Sequence, residues 1–516
     1  MEKSYNKFDQ VIKFPYYLKE WKYKIEDIAI EEKLDFFKTV FEMVSPDDLY
    51  QIAARTGFME RYSHWEFGQS YSHMYKEYFY GLSKISEMVV NTDPVYAYLM
   101  TNNTLVDQKL VMAHVYGHAD FFKNNIWFSN TDRKMINQFS NHAKIVSQYI
   151  DLYGEKEVED FIDICSSLEQ HIDRHEILMA KSKAPEEQED KNIDLESQNI
   201  DRIKVSADKF YMDKFVNPDD EIEKLKKEKK KELEEEEAKS LKKPYKDLLL
   251  FLIEHAPMKQ WQRNIMSMIR EEAYYFAPQG MTKIMNEGWA SYWHSHILTK
   301  RGILDDSEII DYAEHHAATM GSSRSLNPYK LGLEIWNDIE ERWNKGQFGR
   351  EWEECDDYKT KKNWDKKLNI GHEKIFEVRK YYNDVEFIDE FFTRELCVQL
   401  KLFTIDKSKA EPAEGDPKGI TYQISSKEFK DVKQKLLFML TNHGRPNLEV
   451  VDMNYGRNGT LLLKHNTDKD ITLDIADTKE VLNSIFILWS NPVRLESKGP
   501  EKTTTFLNSN GNTVLI

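Results

Sequence analysis

Two histidines four residues apart, in Met112-Ala113-His114-Val115-Tyr116-Gly117-His118-Ala119-Asp120, have the spacing in this chain best suited to chemistry. On a helix, residues i and i+4 lie one above the other, so both imidazoles point the same way and can reach one ion. A second run, Met285-Asn286-Glu287-Gly288-Trp289-Ala290-Ser291-Tyr292-Trp293-His294-Ser295-His296, puts Glu287 and His294 seven apart on one face, with Ser291 between. A carboxylate inside so aromatic a helix is costly to bury unless it is paired or ligates a cation. Together the runs predict a site in which His114, His118 and Glu287 hold a divalent metal, zinc before others. His294 then serves as a fourth ligand, a group behind the ligands or a proton shuttle. The competing expectation is a buried polar network that only orders helix packing, since buried imidazoles need partners in either case.

Zinc-hydrolase helices of the H-E-x-x-H type carry the same histidine pair, with a glutamate general base directly after the first histidine. Val115 stands in that place here. Ordinary zinc-peptidase chemistry therefore does not transfer, and the expectation becomes a gluzincin-like hydrolase without the usual base. Glu287, in its Glu-Gly-Trp-Ala setting, is similar to the third ligand that some peptidases place on a later helix. Arg270-Glu271-Glu272-Ala273-Tyr274-Tyr275 supplies two carboxylates, and Glu271 or Glu272 is the natural candidate for a displaced base. An Arg/Glu surface cluster would look the same. Arg61 and His64, in the aromatic run Glu60 to Trp65, and Tyr116 are assigned to a substrate cleft, with simple packing as the alternative. Glu314-His315-His316 offers adjacent histidines that face different ways on a helix, so at most one joins any given site.

The elements that must position these groups read as helices. Apolar residues recur at helical spacing from Tyr17 to Phe41, so residues 15–45 are expected to form one or two helices. Ser45-Pro46-Asp47-Asp48 starts another. Thr104 to Asn124 is one strong helix that includes the histidine pair. Val89 to Leu99 is β-rich but interrupted by Pro94, which suits a short edge strand. Residues 245–345 read as helical, with breaks near Pro278, Gly302 and Pro328. Past residue 405 the pattern turns strand-like at Leu448 to Met453 and Thr460 to Lys464, followed by a helix over Thr478–Trp489 and a strand at Val493–Leu495. The expected fold is thus mainly α, with a zincin-like helical core as one arrangement that fits, and a small α+β C-terminal domain. The expected divisions are 1–180 and 244–404 for the helical core, 181–243 for a charged insertion containing KLKKEKKKELEEEEAKSLKK, 405–497 for the α+β domain, and 498–516 for a flexible tail.

Bulk composition narrows the function classes. With 72 basic against 89 acidic residues the net charge is −17, and no basic stripe stands outside the mixed-charge run, which argues against nucleic acid as partner. Three scattered cysteines without CxxC spacing suit a reducing compartment. The first residues lack an apolar signal core, and no run approaches about 18 uncharged apolar residues, so the expected location is the cytoplasm. No G-x-x-x-x-G-K-[ST], GxGxxG or G-x-S-x-G occurs, which leaves nucleotide chemistry and a nucleophile-elbow serine unsupported.

These motifs, in this order, resemble the stage V sporulation protein R (SpoVR) family. The runs that carry the resemblance include Arg61 to Gly68, Asn91 to Pro94, Gln108 to His118, Arg270 to Phe276, Lys283 to Ala290, Leu326 to Gly332, Phe376 to Arg379 and Phe387 to Thr393. The resemblance implies a role in forming the spore cortex, a peptidoglycan layer, or in a general stress response. It also implies association with a PrkA-type serine kinase and a von Willebrand-type-domain protein. A metal-dependent hydrolase acting on peptide or peptidoglycan-derived amides would fit that setting. A non-catalytic regulatory or scaffold protein working with the kinase system is the alternative.

Overall fold

The computed structural model describes residues 14–80, 87–179, 244–321, 326–409, 420–466, 473–498 and 503–515. The chain folds into two compact units, Met1–Asp163 with Met268–Arg445, and Ile164–Ser267 with Pro446–Ile516. The expected division at residue 405 is corrected to 445, and residues 164–179 and 244–267, expected in the helical core, belong to the second unit. The charged insertion 181–243 lies outside the described residues.

The first unit is mainly helical, as its periodicity predicts. Its central element is the helix Leu105–Asn124, buried almost all round, and a helix with no polar face belongs in a core. Thr104 starts it with a reciprocal capping box, accepting from the Asp107 N–H while Asp107 accepts from the Thr104 N–H. The helix Lys283–Ser295 lies against it and is capped from a distance: Asp384 accepts from the N–H groups of Ile284 and Met285 at 2.8 and 2.9 Å. A third helix, Pro328–Lys345, starts with Asn327 as cap and Pro328 in its first turn, and ends at Gly346 with φ +70°.

Glycines set how closely these three helices approach. A Cβ on Gly117 would lie 2.7 Å from the Ala290 Cα, and one on Gly332 would lie 2.1 Å from the Ile284 carbonyl oxygen. Gly288 faces Gly332, with its own Cβ position 2.5 Å from the Gly332 Cα. Backbone rests on backbone at both crossings. Side chains that flank the glycines are therefore forced toward a common point, and those side chains are His114, His118 and Glu287.

A small mixed sheet covers one side of this core. Strand β1 (Thr39–Val44) runs parallel to β3 (Val95–Met100), and β2 (Glu87–Val90) pairs antiparallel with β3 in the order β1-β3-β2. The edge strand expected near Val89 is β2. Residues 39–44 correct the helical expectation for 15–45: the helix Tyr16–Glu31 stops, Lys33 takes φ +67°, and the β-branched and aromatic run Thr39-Val40-Phe41 enters the sheet. Pro278 does not break its helix, which continues from Gln260 to Met281. Strands β4 (Thr404–Lys409) and β5 (Ile420–Ser426) form a separate antiparallel pair.

The second unit carries the expected α+β pattern. A five-stranded sheet has the order β10-β9-β8-β7-β6, built from Leu448–Tyr455 (β6), Thr460–Asn466 (β7), Val493–Lys498 (β8), Thr503–Asn508 (β9) and Thr513–Leu515 (β10). β7 and β8 are parallel, so the helix Ile475–Trp489 makes the crossover between them. The tail after Lys498, expected to be flexible, instead supplies the two outer strands β9 and β10. Its Asn-Ser-Asn-Gly segment is the hairpin turn, with Asn508 accepting from the Gly511 N–H at 3.0 Å.

Candidate metal centre

The Nε2 atoms of His114 and His118 lie 3.6 and 3.5 Å from Oε2 of Glu287. The sequence pairing of the two helices thus becomes a spatial cluster. A fourth group completes it. Glu87, the first residue of β2, brings Oε1 to 3.3 Å from His114 Nε2, and Glu87, His114 and His118 each offer a ligand atom within 4.8 Å of the others. Two ligand atoms that share one zinc-like ion at about 2.0–2.2 Å stand roughly 3.3–3.5 Å apart in a tetrahedral arrangement. The observed separations match that spacing and exceed normal hydrogen-bond lengths.

The histidines are oriented for ligation. His118 Nδ1 lies 2.8 Å from Asn286 Oδ1, an acceptor only, so Nδ1 carries the proton and the Nε2 lone pair faces Glu287. His114 Nδ1 lies 2.9 Å from His294 Nδ1, leaving His114 Nε2 toward the two carboxylates. His114 Nε2, Glu87 Oε2 and Glu287 Oε2 are buried without a hydrogen-bond partner. Such atoms are rare in folded proteins, and His114 Nε2 facing Glu287 Oε2 at 3.6 Å, with Glu87 beside them, is the pattern a cation would satisfy.

The charge states separate the two carboxylates. Burial pushes Glu87 up to about 7, helped by the nearby Glu287 charge and only partly opposed by His114. Burial would also raise Glu287, but the imidazoles of His114 and His118 beside it outweigh this and hold the carboxyl below its usual range. Burial and then the His114 charge push His118 down to about 4, so it is the neutral imidazole a metal needs. His294 is driven well below its usual range, first by burial and then by the His114 charge.

A buried anchor holds the frame behind this cluster. Asp120, two residues after His118, accepts from Arg379 through both oxygens at 2.5 Å, from the Trp289 indole at 2.8 Å and from the Asp35 N–H at 2.8 Å. Asp120 thereby links the histidine helix to the Glu287 helix and to the helix Gly371–Tyr381.

The other sequence-selected residues sort as follows. His294 stands behind His114, on the ring nitrogen that points away from Glu287. Glu271 and Glu272 are not brought to the cluster. Glu272 pairs with Arg61 and lies 3.0 Å from His142 Nδ1, while Glu271 lies 3.5 Å from His142 Nε2. The displaced base expected there is therefore corrected: His142, which no motif suggested, occupies both carboxylates. Arg61 is also enclosed by the Phe67 and Phe139 rings and packs as part of that network. His64 Nε2 pairs with Asp163 at 3.1 Å, and Tyr116 is buried against Phe36 and Phe41. The cleft expected from Arg61, His64 and Tyr116 is thus replaced by three packing sites. His315 pairs with Asp107, whereas the His316 ring lies 5.8 Å from that of His294, so at most one of the two is near the cluster.

Two residues at the site escaped sequence reasoning. Glu87 sits two residues before Val89 and shares its face of β2. Val89 packs into the core that contains the histidine helix, while Met88 and Val90 pack into the other core. Extending the in/out alternation back by two residues would have found it. Tyr329 stacks on the His114 ring with centroids 6.1 Å apart.

Comparison with known proteins follows this geometry. The family described as SpoVR like protein matches residues 14–445, and the SpoVR-like C-terminal domain matches residues 446–500. The junction falls at the boundary between the two folded units. An Escherichia coli (strain K12) protein, described as uncharacterized protein YcgB, is 26% identical over 531 residues, covering 95% of this chain and 94% of its own length. No solved structure matches the chain. The histidine helix, the Glu287 helix and β2 all lie within the longer matched region, and the chain belongs to the SpoVR-like family.

Proposed function

We propose that this protein is a metal-dependent hydrolase in which His114, His118 and Glu287 hold one divalent ion, zinc before others, and Glu87 handles the proton. The observation that carries this reading is the approach of His114 Nε2, His118 Nε2, Glu87 Oε1 and Glu287 Oε2 to one another, with His114 Nε2 and Glu287 Oε2 buried without a hydrogen-bond partner. A bound ion would supply Lewis acidity and lower the pKa of water there.

The chain's own residues divide the remaining work. Two carboxylates whose environments drive their pKa values apart mark a charged ligand and a proton carrier. Glu287, held down, stays ionised and suits ligation. Glu87, held near neutrality, suits general base and then general acid. It fills the role that Val115, buried in the core, leaves vacant. Asn286 fixes the tautomer of His118, and His294 holds the His114 ring through its Nδ1. Family membership suggests amide substrates of peptide or peptidoglycan origin, linked to spore-cortex formation or stress. Three free cysteines, and the absence among the described residues of a helix long and apolar enough to cross a membrane, accord with a cytoplasmic setting.

The test compares Glu87→Gln with His118→Ala for bound metal and for cleavage of peptidoglycan stem-peptide fragments. Glu87→Gln is expected to keep its metal and lose turnover by at least about a hundred-fold, the scale of a lost general base. His118→Ala is expected to lose both. Turnover that survives Glu87→Gln would contradict the assignment.

A further inference from the structure

A groove runs along the polar face of the helix Pro328–Lys345. Asn337, Glu340, Glu341 and Asn344 recur at i, i+3, i+4 and i+7, which places them on one face of that helix. Residues 365–369 cross the end of this face and are held to it by their backbone. Lys366 N–H donates to the Lys345 carbonyl at 2.9 Å, and Leu368 N–H to the Asn344 carbonyl at 2.8 Å. A cavity of about 430 Å³ opens between helix and segment, and a second of about 410 Å³, lined by Trp364 and Lys359, adjoins it at Asp365. Both fall in the size range of small-molecule sites. Tyr292 braces the first cavity, its hydroxyl donating to Glu340 Oε2 at 2.8 Å. Tyr292 follows Glu287 by five residues and so points well round the helix from it, which separates this groove from the His114, His118 and Glu287 cluster.

The rim of the groove has a backbone shape that sequence alone would not favour. Lys367 and Asn369, both lining the first cavity, take the left-handed region with φ +52° and +50°. That conformation is uncommon for residues with a side chain, and such positions gather at ligand sites. The polar groups around them are fixed on one side and uncommitted on the other. Asn344 Oδ1 accepts from the Gly371 N–H at 2.8 Å, which leaves its NH2 as a donor. Asp365 Oδ1 accepts from the Lys367 N–H at 2.9 Å, which leaves Oδ2 as an acceptor. Exposed Asn337 and Asn369 commit neither end of their side-chain amides among the described residues. The charges cancel. Glu341 pairs with Lys345 and Lys366 with Glu351, and the remaining carboxylates of Glu340 and Asp365 are matched by the ammoniums of Lys359 and Lys367. A neutral lining of this kind attracts neither a phosphate nor a metal cation.

We propose that this groove binds an uncharged oligosaccharide. A sugar hydroxyl donates and accepts at once, so it needs donors and acceptors side by side, which Asn337, Asn344, Asn369 and Asp365 supply. A sugar ring also carries an apolar C–H face that packs on an aromatic ring. Trp364 provides that ring in the adjoining cavity, and its indole N–H donates to the Gly346 carbonyl at 2.9 Å, which fixes its orientation. Two cavities that share Asp365 suit consecutive rings of a chain better than a single sugar. The proposal stands apart from the hydrolase reading, because none of these residues belongs to the cluster.

The test is isothermal titration calorimetry of the full-length protein with maltotetraose and, separately, chitotetraose. At least one of the two is expected to bind the parent with millimolar or tighter affinity, and inorganic phosphate is expected not to compete. Asn337→Ala and Asn369→Gly are each expected to weaken that binding by about three- to ten-fold, the scale of one neutral hydrogen bond. Asn369→Gly removes the amide while glycine accepts the left-handed backbone, and Asn337→Ala changes the opposite, exposed wall. Circular dichroism checks both folds, and a fold lost in one variant leaves the other to decide. Absence of binding by both tetrasaccharides would overturn the proposal. Parental affinity in both variants would also overturn it, by placing the sugar elsewhere. Competition by inorganic phosphate would overturn the uncharged-ligand reading.

Discussion

Replacing Gly117 with alanine tests the packing that creates the site. In an ordinary helix interior the change stabilises by about 0.5–1 kcal/mol, because glycine loses more backbone freedom on folding. Here the new Cβ would lie 2.7 Å from the Ala290 Cα and 3.2 Å from its Cβ. Carbon atoms prefer roughly 3.5–4.0 Å, so the two helices must part by about 1 Å. Overpacking of that kind costs about 1–3 kcal/mol, which reverses the usual sign. Metal sites tolerate ligand displacements of only about 0.2 Å, so affinity should fall at least ten-fold while the fold survives. Gly68 is the internal control: it is exposed in the helix Trp65–Phe79, and a Cβ there meets nothing within 4 Å. Thermal melts and metal titrations of Gly117→Ala and Gly68→Ala should therefore diverge, the first destabilised with weakened metal binding, the second unchanged or slightly stabilised. A Gly117→Ala protein as stable as the parent, with full metal affinity, would refute the close-approach reasoning.

Three further outcomes follow from the same geometry. Arg379→Ala strips the partner from buried Asp120 and should cost about 3–5 kcal/mol in urea unfolding, whereas a loss under about 1 kcal/mol would mean the anchor is dispensable. Asn286→Ala frees the His118 tautomer and should weaken metal binding by about 10–100-fold with little change in stability; an unchanged affinity would contradict the orienting role. His142 is lowered by burial, but the Glu271 and Glu272 carboxylates beside it outweigh this and raise it to about 9. A folded pKa above the unfolded one means that its stabilisation is complete below about pH 6.5 and disappears as pH rises through about 9. The contribution is on the order of 2 kcal/mol once screening at exposed Glu271 is allowed for, and a Glu272→Gln protein should lose most of that pH dependence.

The helical half of the site was legible because helix periodicity fixes direction. His114 and His118 at i, i+4, and Glu287 in an aromatic helix, could each be placed on a face before any contact was known. Their meeting depended on Gly117, Gly288 and Gly332, which in sequence look like minor defects of helices and in space are the contact points. Glu87 was hidden for a different reason: a four-residue strand has too few positions to declare its alternation, and its partner β3 lies beyond the Asp93-Pro94 turn. The base assigned to Glu271 and Glu272 failed because adjacency to the right motif says nothing about competing partners, and His142 is over a hundred residues away in sequence. Strand β1 was misread because Leu34, Phe37, Val40 and Phe41 satisfy a helical period that Lys33 interrupts. The outer strands β9 and β10 were missed because their polar residues read as a tail until the sheet supplies partners.

The account depends on the Glu87, His114, His118 and Glu287 cluster holding a metal. Elemental analysis of the purified full-length protein beside His118→Ala, with circular dichroism to confirm folding, tests this most directly. One equivalent of a divalent metal in the parent, and its loss from a folded His118→Ala protein, is the predicted result. No stoichiometric metal in the parent, even after incubation with zinc, manganese or iron(II), would contradict it.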